Sequence, residues 1–134
     1  MLEIAISIAV VAHTAEKDLG GDFYILHPLR VMAKMKSTDE KIVAVLHDVI
    51  EAGNNLEHYG FSRTVMSALD HISRRKGESY PDYIKRAAKN YIARRVKIAD
   101  LEDNMDVRRL CVLTEKDHKR LTKYQEAWAY LMTC

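Results

Sequence analysis

A chain of 134 residues is long enough for one domain with a real core and too short for two. With 48% of its residues apolar and 30% charged, it has a globular balance rather than a disordered or low-complexity one. The formal net charge of +2 is near neutral, and no basic block is long enough to follow a phosphate backbone, which argues against nucleic acid as the main partner.

The apolar run from Ile4 to Ala12 belongs to a first helix expected over residues 2 to 17. It is too short to span a bilayer and lacks the basic flank of a signal peptide, so a cytoplasmic protein with no membrane partner is expected. Gly20-Gly21 closes that helix, and a loop carrying Phe23 and Tyr24 leads to His27-Pro28, where the proline suits the first turn of a short second helix. Ser37 and Glu40 have capping-box spacing, which predicts a third helix over residues 38 to 51 with Gly53 beyond its end. Its apolar members, Ile42 to Ile50, cover more than one face, so this helix is placed centrally.

Ser62 caps a fourth helix expected to reach residue 75, and Ser79 caps a fifth with Pro81 in its first turn and Asn90 near its end. A sixth spans residues 91 to 103, and Thr114 with Asp117 opens a last one reaching residue 132. No linker, repeat or biased segment interrupts the chain. The expectation is an all-α fold, a single bundle-like domain of about seven helices over residues 1 to 134. Leu121, Trp128 and Leu131 on the last helix are assigned to the core rather than to a dimer face. Cys111 and Cys134 lack CxxC spacing, so neither a zinc site nor a disulfide is suggested.

Against this ordinary background a few polar residues stand in apolar surroundings. In "AVLHDVIEAG", His47 and Asp48 are followed by Glu51 on the same side of a helix. In "RRVKIADLEDN", Asp100 lies mid-helix and Asn104 one turn further along the same face. Alone, Asp100 reads as a buried carboxylate satisfied by an arginine or a helix end. With His27 of "YILHPLR" it belongs instead to a set of two imidazoles and two aspartates. Such a nitrogen and oxygen set suits manganese, iron or zinc, with coordination positions left for water or phosphate. The basic clusters Arg74-Arg75-Lys76 and Arg94-Arg95 with Lys97 read as solvated helix faces or as partners for a small anionic ligand, with Arg30, Arg75 and Lys97 the candidates to neutralise a phosphorylated substrate.

The order H, then HD, then D, in "YILHPLRVM", "AVLHDVIEA" and "VKIADLEDN", resembles the HD superfamily of metal-dependent phosphohydrolases. Within it, the chain looks most like the hydrolase domain of RelA/SpoT homologues and the stand-alone small alarmone hydrolases, from Ala12-His13 through "RRKGESYPDYI" to "TEKD". The resemblance implies an Mn(II) site made by His27, His47, Asp48 and Asp100, and hydrolysis of the 3'-pyrophosphate of guanosine tetra- or pentaphosphate (ppGpp or pppGpp) by a metal-activated water. It implies that Glu51 places or activates that water, that Asn104 lies against the substrate, and that Tyr24 and Lys97 take substrate-binding positions. The chain departs from the family twice. Ala52 replaces the second acidic residue of HDxxED, and Asp18-Leu19 stand where the alarmone hydrolases carry an Arg-Lys pair. Two alternatives therefore stay open: a phosphohydrolase of another nucleotide or small phosphorylated metabolite, and a catalytically weak module that binds metal and nucleotide.

Overall fold

The structure, a computed structural model, describes residues 1–133; Cys134, one of the two cysteines considered above, lies outside them. Seven α-helices follow in chain order: α1 (Leu2–Ala12), α2 (Leu26–Ala33), α3 (Thr38–Leu46), α4 (Arg63–Ile72), α5 (Tyr80–Ala88), α6 (Tyr91–Asn104) and α7 (Glu115–Thr133). Short 3-10 turns at Glu57–Tyr59 and Val107–Arg109 complete the helical content. The expected all-α bundle of about seven helices is what the chain forms. Among the described residues no helix is long and apolar enough to cross a membrane.

Local chemistry sets most helix starts. Ser37 and Glu40 form the reciprocal capping box at α3. Ser62, Ser79 and Asn90 accept the first free backbone N–H groups of α4, α5 and α6, so Asn90 opens α6 rather than ending α5. Thr114 and Asp117 exchange hydrogen bonds across the first turn of α7.

Three helix ends come earlier than the sequence predicts. α1 stops at Ala12 because the chain turns at His13 and Ala15 takes a left-handed conformation, φ 67°. α3 stops at Leu46. The Ala44 carbonyl, which a further helical turn would need, already accepts both the backbone N–H of His47 and its ring Nδ1, the latter at 2.5 Å. Residues 48–53 continue as successive turns that end at Gly53, φ 95°. α4 likewise ends at Ile72, leaving Arg74 and Arg75 in the loop before α5.

α3 and α6 are the two central helices. Ile42 to Leu46 are all buried, and α3 packs on α1, α2, α4 and α6, with Ala5 and Ala9 letting α1 approach closely. A second core joins Tyr83, Ile84 and Ala88 of α5, Leu101 of α6, and Ala127 and Leu131 of α7, with Trp128 packed against it. Leu131 is thus a core residue and Trp128 packs half-buried against that core, whereas Leu121 faces a cavity. α6 contributes to both cores, which is why polar residues on its remaining face meet α2 and the end of α3.

The segment between α1 and α2 folds back through an isolated antiparallel bridge, Lys17 with Phe23. Its tip lies on the 3-10 turn at 107–109 so closely that a Cβ on Gly20 would stand 2.6 Å from the Arg109 carbonyl oxygen. Only glycine permits this approach.

Candidate metal centre

Three elements deliver the predicted ligands to one point. His27 is the second residue of α2, His47 and Asp48 follow the last residue of α3, and Asp100 is in the C-terminal half of α6. One donor atom each from His27, His47 and Asp48 lies within 4.8 Å of the others. Asp100 closes the group from α6: its Oδ1 is 2.8 Å from His27 Nε2 and 3.2 Å from His47 Nε2. Asp48 Oδ2 stands 3.2 Å from His47 Nε2 and 3.9 Å from His27 Nε2.

The outer ring nitrogens determine what the inner ones offer. His27 Nδ1 meets Asp103 Oδ2 at 2.6 Å, and His47 Nδ1 meets the Ala44 carbonyl oxygen at 2.5 Å. Both partners are acceptors only, so each Nδ1 carries a proton, and in the neutral ring each Nε2 would turn its lone pair toward Asp48 and Asp100. Four acceptor atoms then face one another, an arrangement that demands protons on both imidazoles or a cation between them. Adjacent ligands around a first-row ion bound at ~2.1 Å are roughly 3 Å apart, close to the separations found here. The residues fit a divalent metal.

The surrounding groups hold this cluster in place. Lys97, buried on α6, donates from Nζ to Asp100 Oδ2 at 2.8 Å, and Asn104 Nδ2 donates to Asp100 Oδ1 at 3.1 Å. The Tyr24 hydroxyl donates a short hydrogen bond to Asp48 Oδ2. His13, buried at the end of α1, packs its ring 5.0 Å from that of Tyr24. Lys97, which the resemblance assigns to substrate, has its charge engaged with Asp100 and its Nζ 5.1 Å from the centre of the Tyr83 ring.

Burial and charge oppose each other throughout. Burial disfavours a charge on His27, but hydrogen bonds to Asp100 and Asp103 hold its pKa above the usual imidazole value. Burial also opposes a charge on His47, and Asp48 and Asp100 outweigh it. Burial alone would raise Asp48; the His47 charge brings it down to about 2. Asp100, likewise pushed up by burial, is held well below the carboxylate range by Lys97 and His47. Burial and Asp48 together push the Tyr24 hydroxyl far up, so it stays a donor.

Glu51 lies outside the hydrogen-bonded cluster. It is exposed on the turns after α3, and its Oε1 accepts the Arg74 backbone N–H at 2.5 Å. Partial desolvation and then Asp48 raise its carboxyl above the usual range, while the Arg74 N–H works in the opposite direction. Ala52 beside it is exposed.

A cavity of about 340 Å³ opens beside the centre. Tyr24, His27 and Asn104 line it on the side of the centre, and Lys17, Arg30, Arg109 and Arg120 stand in its walls together with Asp106 and Asp117, which pair with Arg109 and Arg120. Asp18 and Leu19 also line it; Asp18 Oδ1 accepts from the backbone of Gly20 and Asp22, while Oδ2 is buried without a hydrogen-bond partner. The remaining basic clusters are spent elsewhere. Arg75 pairs with Asp70 on the surface, Arg95 pairs with Glu40, and Arg94 donates to the Ala88 carbonyl.

No protein-family description matches the sequence, and no curated protein matches it.

Asp103 was not among the residues singled out from the sequence. Its spacing of three from Asp100 placed it on the same helix face, which was the available signal. What the sequence does not display is that Arg30, 73 residues away, would seat two guanidinium nitrogens, Nε and Nη2, on it at 2.8 and 3.0 Å.

Proposed function

We propose that this protein is a metal-dependent phosphohydrolase of the HD type, acting on a small phosphorylated nucleotide, with the 3'-pyrophosphate of guanosine 3',5'-bis(diphosphate) as the leading substrate. The observation that carries the reading is the pair of inward-facing Nε2 atoms, His27 and His47, opposed to the carboxylates of Asp48 and Asp100. His27, His47, Asp48 and Asp100 would hold the metal, Mn(II) by the resemblance. A divalent ion held by these residues would supply Lewis-acid polarisation of a phosphoryl oxygen and a lowered pKa for water near neutral pH.

The chain's own residues then have distinct tasks. Tyr24 and Asn104 hold the ligand carboxylates and line the cavity on the side of the centre, where the phosphorylated end of the substrate would enter. Lys97 offsets the charge of Asp100. Glu51, with its raised carboxyl, accepts the proton of the attacking water. Arg30, Arg109 and Arg120 face the negative charge of the substrate beyond the scissile bond.

A second reading keeps this chemistry and changes the substrate to another nucleotide or a phosphorylated metabolite. Asp18 in the cavity wall favours it, because its unpartnered oxygen stands where the resemblance puts a cationic pair.

The test is a product assay with metal-stripped protein, added Mn(II), and Asp48→Ala in parallel. Metal-dependent release of pyrophosphate and GDP from guanosine 3',5'-bis(diphosphate), lost in the variant, supports the first reading. Orthophosphate release from nucleoside monophosphates instead supports the second. Tight nucleotide binding with no turnover under any divalent metal overturns both and leaves a binding module.

A further inference from the structure

Asp103 is 5% exposed and lies one turn of α6 beyond Asp100. A carboxylate so buried is costly unless its lone pairs are filled. Here all of its neighbours are donors. Arg30 donates from Nε to Oδ1 at 2.8 Å and from Nη2 to Oδ2 at 3.0 Å, the paired geometry that guanidinium and carboxylate favour. Arg109 donates from Nη2 to the Asp103 backbone oxygen at 2.7 Å and stands 3.6 Å from Oδ2. The remaining direction at Oδ2 is filled by His27 Nδ1 at 2.6 Å.

This arrangement selects one state of the imidazole. Arg30 keeps Asp103 ionised and fixes its plane, so the carboxylate offers His27 only an acceptor, and the ring nitrogen facing it must carry the proton. A ring flipped by half a turn about Cβ–Cγ would present the carbon Cδ2 to Asp103 and the carbon Cε1 to Asp100, losing both contacts. Proline at position 28, the next residue, fixes part of the backbone from which the ring projects. Neither His47 nor Asp48 has an equivalent support: His47 is oriented by a carbonyl of its own helix, and Asp48 by the Tyr24 hydroxyl.

We propose that Asp103 is a positioning residue for the metal centre, locking His27 with Nδ1 protonated and Nε2 directed at the metal, and that Arg30 supports His27 through Asp103. The inference rests on the metal-site reading above and adds a residue to it. Hydrogen bonds of this kind tune ligand affinity from outside the coordination sphere.

The experiment measures Mn(II) affinity by electron paramagnetic resonance for the wild type, Asp103→Asn and Arg30→Met, and the His27 tautomer by ¹⁵N NMR of the metal-free protein. The expected result is Mn(II) binding weakened by about 10- to 100-fold in Asp103→Asn. Arg30→Met, which keeps the His27–Asp103 bond, should weaken it by less than the Asn variant does. The wild-type His27 should carry a slowly exchanging proton on Nδ1. Unchanged Mn(II) affinity in a folded Asp103→Asn protein overturns the proposal, and so does a wild-type His27 whose Nδ1 bears no proton. If Asp103→Asn does not fold, the wild-type NMR signal still decides it. Should the wild type bind no Mn(II), the metal reading falls, while the tautomer measurement still judges the His27–Asp103 bond by itself.

Discussion

His27 Nε2 of α2 and His47 Nε2 at the end of α3 converge on one atom of α6, Asp100 Oδ1, at 2.8 and 3.2 Å, across 73 and 53 residues of chain. The same carboxylate takes the Lys97 ammonium on its other oxygen. Asp100 therefore serves the metal position and neutralises a buried cation at once. Asp100→Asn should lose both functions: Mn(II) binding should disappear, and the metal-free protein should lose about 3 kcal/mol of stability because Lys97 is left buried and uncompensated. Denaturant titration of the metal-free variant checks the second part; a stability equal to wild type would contradict the pairing.

Glu51 carries the proposed proton transfer without touching the ligands. Glu51→Gln keeps an oxygen for the Arg74 N–H and removes the basic group. Turnover should fall by about 10²- to 10⁴-fold with Mn(II) affinity unchanged. Measured together, kcat and metal affinity separate this role from a structural one, and a kcat near wild type removes Glu51 from the mechanism.

Asp18 allows a test of the altered cavity wall. Asp18→Asn retains the Oδ1 acceptor that closes the turn through Gly20 and Asp22, and removes a negative charge beside Arg30. Binding of an anionic substrate should tighten, lowering KM by about threefold at low ionic strength, with the gain shrinking as salt rises. A rise in KM would instead mean that Asp18 contacts the substrate directly as an acceptor.

Away from the centre, Glu40 gives the chain a defined acid sensitivity. Burial works against its charge, but the Ser37 N–H and Arg95 hold its carboxyl below the usual range. A folded-state pKa below the unfolded one contributes stability that is complete above the unfolded value, about 4.3, and is lost as pH falls through the lower folded value. Glu40→Gln should therefore cost about 1.5 kcal/mol at pH 7. The gap to wild type should close below about pH 4. Equilibrium unfolding of both proteins from pH 3 to 7 reads this directly, and a constant gap would exclude the carboxylate as its source.

The sequence made the helices legible because their starts are written locally: Ser37, Ser62, Ser79 and Asn90 each bond a backbone N–H three residues on. The ends of α1 and α3 were less visible. No glycine or proline marks Leu46, and the helix stops because the His47 ring takes the Ala44 carbonyl, an event that depends on the side chain's orientation. The four candidate ligands were legible as polar residues in apolar surroundings, and they do meet. The partners of those ligands were not. Asp103 with Arg30, and Tyr24 with Asp48, join segments far apart in the chain, and their pairing follows from the packing of α2 against α3 and α6.

The most direct measurement is the stoichiometry of Mn(II) bound to the metal-stripped protein, by electron paramagnetic resonance, in wild type and His47→Ala. The expected result is one ion per wild-type chain and loss of that ion in the variant, with the variant still folded. No bound ion in the wild type, or one that persists without His47, would contradict the metal centre on which the proposed chemistry stands.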